Sequence, residues 1–236
     1  MSAPPLTARG TRTRAKLLAA AEVVFARYGY TEASIVRITE EAGVGQGTFY
    51  LYFSSKLEIF EELVDDLNRR VRHAMSEASA GSATRLESER AGFRAFFAFT
   101  AEHPALYRIV REAEFVSPRA LRSHYTRIVE GYISGLAEAR EKGEVGDVDP
   151  TVAAWALMGI GEMIGMRWVL CGDGAPVGDN ADPTASGTSE VPDAVFDEMM
   201  RFIRRALAVA PEADGPTAQR PAPADQTKPT VGRTQQ

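Results

Sequence analysis

The chain has 236 residues, 44% of them hydrophobic and 25% charged, which suits a soluble globular protein of one large domain or two small ones. Its single cysteine, Cys171, excludes an internal disulfide and fits a reducing cytoplasm, no apolar run approaches the ~20 residues of a membrane span, and the first residues lack the apolar stretch of a secretory signal. The net charge of -5 argues against a nucleic-acid partner until its distribution is considered: residues 1–56 carry seven Lys/Arg against four Asp/Glu, so a basic module precedes an acidic body.

Residues 1–12, rich in small residues, Pro and Arg, are expected to form a flexible arm. From Thr13, the apolar residues Leu17, Leu18, Ala21, Val24, Phe25 and Tyr28 recur at spacings of three and four. That period predicts an amphipathic helix, stopped at Gly29. Ser34 is a suitable N-cap for a second, short helix, and Gly43 can reach positive φ at the turn that follows. A third helix is expected from Gln46 to Phe53, with Gly45 and Gly47 at its start leaving the backbone open to close approach. Ser54 or Ser55 then caps a long fourth helix whose apolar positions are Leu57, Phe60, Leu63, Val64, Leu67 and Val71. It is long enough to bridge two modules.

A small-residue break at Ala80-Gly81-Ser82 leads to helical stretches at 84–101, 105–115, 118–142 and 149–171. Pro104 and Pro118 sit near helix starts, where a missing N–H costs nothing. Asp149-Pro150 forms an N-cap and N1 pair, and Gly143 closes the preceding helix. Residues 172–191 form a polar loop, residues 192–209 a last helix, and residues 210–236 a Pro-rich tail expected to be disordered. No strand pattern or internal repeat is visible, so the expected fold is all-α. A three-helix helix-turn-helix module at 13–56 would precede a larger helical domain at 57–209.

The segment Ser34–Lys56 has the layout of a helix-turn-helix reader, whose second helix enters the major groove. Its residues resemble the DNA-binding region of the TetR (tetracycline repressor) family of bacterial transcriptional regulators. The resemblance is carried by Phe25-Ala-Arg-Tyr-Gly29, Ile38, Glu41-Ala-Gly-Val44, Gly47-Thr-Phe-Tyr50, Tyr52-Phe53, Ser55-Lys56-Leu57 and Phe60. One departure is Thr39, where the family usually has alanine; its hydroxyl can bond back to a preceding carbonyl. The resemblance implies phosphate contacts by Thr48 and Tyr50. From their own chemistry, Lys56 and Ser34 at helix starts suit phosphates, and Gln46 suits adenine through its amide. Gly47 allows close approach, Leu51 and Tyr52 suit thymine methyls or sugars, and Arg37 suits a base or a phosphate. Phe49 and Phe53 are expected in the core.

One short reader gives little specificity, so a homodimer on a palindromic operator is implied, with readers one helical turn apart. Its interface is expected on the last two long helices, at Gly161, Gly165, Val195, Met199, Phe202 and Ile203. The resemblance further implies a small-molecule effector in the larger domain that releases DNA, most often from a repressor. Candidate lining residues are Phe93, Phe96, Phe97, Tyr107, Arg111, Phe115, Tyr125, Trp155, Met158, Glu162 and Trp168. A hydrophobic or acyl-CoA-type ligand ranks first, with Arg108, Arg111, Arg119 and Arg122 as a positive rim. The alternatives are an efflux-pump regulator answering cationic drugs, which would use Glu102, Glu112, Glu114 and Glu162, and a helical interaction scaffold without DNA. No phosphate loop, dinucleotide fingerprint, HExxH or Gly-x-Ser-x-Gly motif is present, and His73, His103 and His124 lack metal-ligand spacing. No enzyme, metal or cofactor is therefore expected.

Overall fold

The computed structural model describes residues 7–170 and 190–208. Among these, nine α-helices and no strand are found: α1 (Ala8–Glu32), α2 (Ile35–Ala42), α3 (Gln46–Phe49), α4 (Lys56–Ser79), α5 (Arg85–Glu102), α6 (Ala105–Val116), α7 (Pro118–Glu141), α8 (Pro150–Gly165) and α9 (Asp193–Leu207). Helix α8 runs on into a π-helical turn at Met166–Leu170. Cys171, most of the predicted polar loop, the last residue of the predicted final helix and the predicted tail at 210–236 lie outside the described residues.

Helix α1 begins earlier than its apolar period indicates. The Thr7 hydroxyl accepts from the Gly10 N–H at 3.2 Å, an N-cap that places Arg9 and Arg12 on the helix and not on a flexible arm. At its far end Gly29 adopts φ 71, ψ 170 and kinks the chain. Two side chains of α6 satisfy the backbone groups freed there: Arg108 donates to the Ala26 carbonyl at 2.7 Å, and the Glu112 carboxylate accepts from the Tyr30 N–H at 2.9 Å. A Cβ on Gly29 would lie 2.5 Å from Glu112 Oε1. Gly29→Ala should therefore lose about 2–3 kcal/mol of stability, through backbone strain and displacement of this clamp; urea denaturation reads it directly.

The N-terminal helices enclose Leu17, Phe25, Ile38, Phe49, Phe53, Phe60 and Leu63, all essentially inaccessible to solvent. Phe60 meets Phe25 and Tyr30 edge-on at centroid distances of 5.3 and 5.0 Å. Thr39 is buried with its hydroxyl donating to Val36 O at 2.9 Å, so the departure from alanine is absorbed locally. Ser55, not Ser54, caps α4. Leu57 is turned towards solvent, whereas Phe60, Leu63, Val64, Leu67 and Val71 face inward. The core around these residues continues without a break through Phe99, Leu106, Ile109, Val110 and Ala113, so α4 and α6 weld the reader to the larger body.

A second core gathers Phe93, Phe97, Val129, Leu136, Leu157, Phe196, Met200 and Leu207. It also contains Ile203, which corrects the interface expectation by pointing inward from the apolar stripe of α9, and Met199, which is buried yet borders the groove between α8 and α9. Gly161 and Gly165 are corrected in the same way. A Cβ on Gly161 would come within 2.8 Å of the Phe93 ring, and one on Gly165 would overlap the Tyr107 hydroxyl. Both glycines let α8 press against α5 and α6 inside one subunit. Asp149 accepts from Thr151 and Val152 N–H ahead of Pro150, as predicted, and α5 opens on a Thr84–Glu87 capping box.

Candidate DNA-binding surface and effector cavity

Helices α2 and α3 are joined at Gly43, which takes the left-handed conformation at φ 65. Helix α3 has four residues, shorter than the predicted Gln46–Phe53. Beyond Phe49 the chain tightens into i+3 turns, with Leu51 N–H donating to Thr48 O at 3.3 Å and Tyr52 N–H to Phe49 O at 2.9 Å. The glycines at 45 and 47 disfavour a longer helix. Phe49 and Phe53 hold this segment from beneath. Its outer side presents Gln46, Gly47, Tyr50 and Leu51 to solvent, with Thr48 and Tyr52 half-buried. Tyr50 is 57% exposed and Leu51 77%, and the Tyr50 ring is steadied edge-on by Phe49 at a centroid distance of 5.5 Å. A Cβ on Gly45 or Gly47 would meet nothing within 4 Å. No packing inside the chain requires glycine at either place; the backbone is simply bare towards solvent.

Three flanking residues have other work. The Ser34 hydroxyl caps α2 by accepting from Arg37 N–H at 3.2 Å. The Arg37 guanidinium stays at the surface, 4.3 Å from the centroid of the Tyr28 ring. Lys56 corrects an expectation. Its ammonium donates to the carbonyls of Tyr30, Thr31 and Ala33 at 2.7, 3.3 and 2.7 Å and lies 4.4 Å from the Tyr30 ring centroid. An ammonium has three donors, and all three are committed to the end of α1. Lys56 therefore fastens α1 to α4 and has no donor left for a phosphate.

In the larger domain a cavity of about 50 Å³ lies between α4, α5, α6, α7 and α8. Phe93, Phe96, Tyr107, Tyr125, Met158 and Glu162 line it as expected. Other expected residues do not. Phe97 belongs to the second core, against Phe196 at 6.2 Å. Arg111 is on the surface with Nη1 3.4 Å from Met166 Sδ, and Phe115 points outward, 84% exposed. Trp155 is about half exposed beside Tyr125 and does not line the cavity. Trp168 faces a different groove, between α8 and α9. The arginine rim does not form either: Arg108 is spent on α1 and Arg119 on Glu61. Of the carboxylates suited to a cationic drug, Glu162 lines the cavity, whereas Glu112 clamps α1 and Glu102 and Glu114 face solvent.

The cavity's polar groups are tied together. The Tyr125 hydroxyl donates to Glu162 Oε1 at 2.9 Å and that of Tyr107 to Glu162 O at 3.4 Å. Burial, reinforced by the Glu162 charge, pushes both phenols up, so they stay neutral donors. His124 also lines the cavity. Asn68 on α4, fully buried, reaches both His124 Nδ1 at 3.1 Å and its carbonyl at 2.9 Å, and accepts from Arg72 Nε at 2.9 Å. Burial, then the nearby Arg72 charge, drives the His124 imidazole down to about 4. Asn68 was missed at the level of sequence. Its signal is a polar residue set within the apolar stripe of Val64, Leu67 and Val71.

The groove between α8 and α9 is apolar, lined by Met163, Trp168, Val195 and Phe202 among others. Met163 is 53% and Phe202 60% exposed. Val195 and Phe202 thus line a groove on the surface of the chain. Among the described residues no His, Cys, Asp or Glu cluster could hold a metal ion, and no helix is long and apolar enough to cross a membrane.

The architecture is a glycine-bared, aromatic-anchored helix-turn-helix continuous with a larger helical body. Residues 17–63 match the family model described as bacterial regulatory proteins, tetR family. The chain is 42% identical over 67 residues to the uncharacterized HTH-type transcriptional regulator YdgC of Bacillus subtilis, covering 28% of this chain and 34% of that protein; the chain thus spans about a third of that relative's length. It is 26% identical over 160 residues to the fatty acid metabolism regulator protein of the same organism, covering 60% and 82% of the two chains. The transcriptional regulator FadR from Bacillus subtilis, solved in complex with stearoyl-CoA, has the same fold at a TM-score of 0.66 and 20% identity, over 82% of this chain and 98% of that one.

Proposed function

We propose that the protein is a ligand-responsive transcriptional regulator of the cytoplasm. It binds a palindromic operator as a homodimer and is released, as a repressor, when an apolar or acyl-chain effector enters the cavity among α4–α8. The observation that carries the DNA reading is the solvent-facing set Gln46, Gly47 and Tyr50, with Thr48 half-buried among them, on a segment pinned from beneath by Phe49 and Phe53. Gln46 reads a base edge, Thr48 and Tyr50 take phosphates, and Leu51 and Tyr52 touch methyls or sugars. Arg37 adds a surface charge at the groove edge.

The effector reading draws support from the aromatic cavity walls and from the fatty-acid regulators among the relatives. A space of about 50 Å³ holds no more than a few waters, so any acyl chain has to part the helices around it. That requirement supplies the switch: the ligand favours an expanded body, and the state that reads DNA is the compact one.

The test is fluorescence anisotropy with the DNA upstream of the protein's own gene, across a salt series. Binding should weaken steeply with salt; affinity indifferent to salt, or absent, would remove the regulator reading in favour of a scaffold. Tyr50→Ala should weaken operator binding about tenfold, one or two contacts' worth, with an unchanged melting temperature. Lys56→Met should do the reverse at the level of stability. It loses about 2 kcal/mol as three carbonyls lose their charged donor, and thermal melts of the two variants side by side check the contrast.

A further inference from the structure

We infer that a cleft on the outer side of the effector cavity, between α4, α5 and α7, binds the phosphate-bearing head group of an amphiphilic effector whose apolar tail lies in the inner cavity. This rests on the effector reading above and names the chemistry of its second half. The cleft and the cavity share the walls Met75, Ile128 and Tyr132, so they adjoin. Their linings are opposite in character: aromatic and aliphatic inside, but Arg72, Arg85 and Arg127 with Ser76 and Ser88 outside. The outer cleft is also the larger, about 290 Å³ against about 50 Å³, more room than a lone carboxylate would use.

The three guanidiniums are held in different ways. Arg72 is fixed through Nε on the buried Asn68 carbonyl, which leaves its two terminal amino groups, the forked pair that suits a phosphate, as donors. Arg127 is paired with Asp65 near the surface, where both partners are more than two-fifths exposed and a stronger anion competes easily. Arg85 is paired with Glu89 in the interior and lies over the Tyr132 ring, while its buried Nε has no hydrogen-bond partner. Burial raises the Glu89 carboxyl. Three cations are thus met by two carboxylates, Glu89 within the cleft and Asp65 at its edge, and the surplus is one positive charge, that of Arg72. Asn68 orients both Arg72 at the head-group end and His124 at the cavity end, so one α4 side chain positions the two halves of the site.

Calorimetric titration of the full-length protein with dodecanoyl-CoA, dodecanoate and free coenzyme A tests this. The wild type should bind dodecanoyl-CoA at least tenfold more tightly than dodecanoate. The double variant Arg72→Gln, Arg127→Gln should erase that difference and leave dodecanoate binding within twofold. Equal wild-type affinities for the two probes, or a difference that survives the double variant, would overturn the head-group site while leaving the apolar cavity intact. Binding of neither probe by the wild type would overturn the acyl-effector reading and the head-group site with it. If the double variant also loses dodecanoate, the surface substitution Arg127→Gln alone decides: at least a threefold loss confined to dodecanoyl-CoA supports the site, and no change removes it.

Discussion

Phe202→Asp combined with Met163→Asp should yield a folded monomer that has lost operator binding by on the order of a hundredfold. Both side chains are more than half exposed on the groove between α8 and α9, so charging them disturbs no internal packing. Their neighbours Met199 and Ile203 are the ones committed to the core. A DNA half-site read by one subunit keeps its contacts but loses the second reader, whose binding is intramolecular only in the dimer. Size-exclusion chromatography with light scattering gives the oligomeric state, circular dichroism the fold, and anisotropy the affinity. A variant that stays dimeric would move the interface away from this groove. A monomer with undiminished operator affinity would end the two-reader scheme.

Acid should destabilise the protein through His124, by about 3 kcal/mol between pH 6.5 and 4. In the unfolded chain the imidazole has its ordinary value, whereas in the fold burial and Arg72 bring it down to about 4. Between those values the unfolded state binds the extra proton. The contribution is therefore fully present above pH 6.5 and is lost as pH falls towards 4. Glu89, whose carboxyl is raised by burial, works in the opposite sense. The comparison that isolates the histidine is thus wild type against His124→Asn, whose amide oxygen can accept from Asn68 as Nδ1 does. Urea midpoints across this pH range should converge for the two proteins as the pH drops. Parallel pH profiles would mean that His124 binds its proton as readily in the fold as in the unfolded chain.

The helical plan was legible where a boundary has a local chemical cause: Ser34, Ser55 and Asp149 at starts, Gly43 and Gly143 at ends. The start of α1 was not, since Thr7 caps a turn whose next residues carry no apolar period. The reader's exposed row was visible through the alternation of glycines with buried aromatics. Lys56 was misjudged because a lysine at a helix start looks the same from sequence whether it meets a phosphate or the carbonyl end of another helix. Aromatic residues at helical spacing marked the cavity's neighbourhood, yet the period gives no rotation about the helix axis relative to its neighbours. Phe93 and Phe96 turned towards the cavity, Phe97 into the second core and Phe115 into solvent. Gly161 and Gly165 show the same limit: small residues announce close approach, not which helix approaches.

Leu106 and Val110 belong both to the cavity wall and to the core that runs back to Phe25 and Phe60. A substitution there that reshapes the chamber also loosens the scaffold beneath the reader, so descendants with new ligand preferences are not expected to vary at these two places. Ile128, Tyr132 and Met158 border the same chamber from α7 and α8, outside that shared core. Evolutionary drift in ligand preference should accordingly settle on this far wall, leaving α6 as the invariant hinge-post of the lineage.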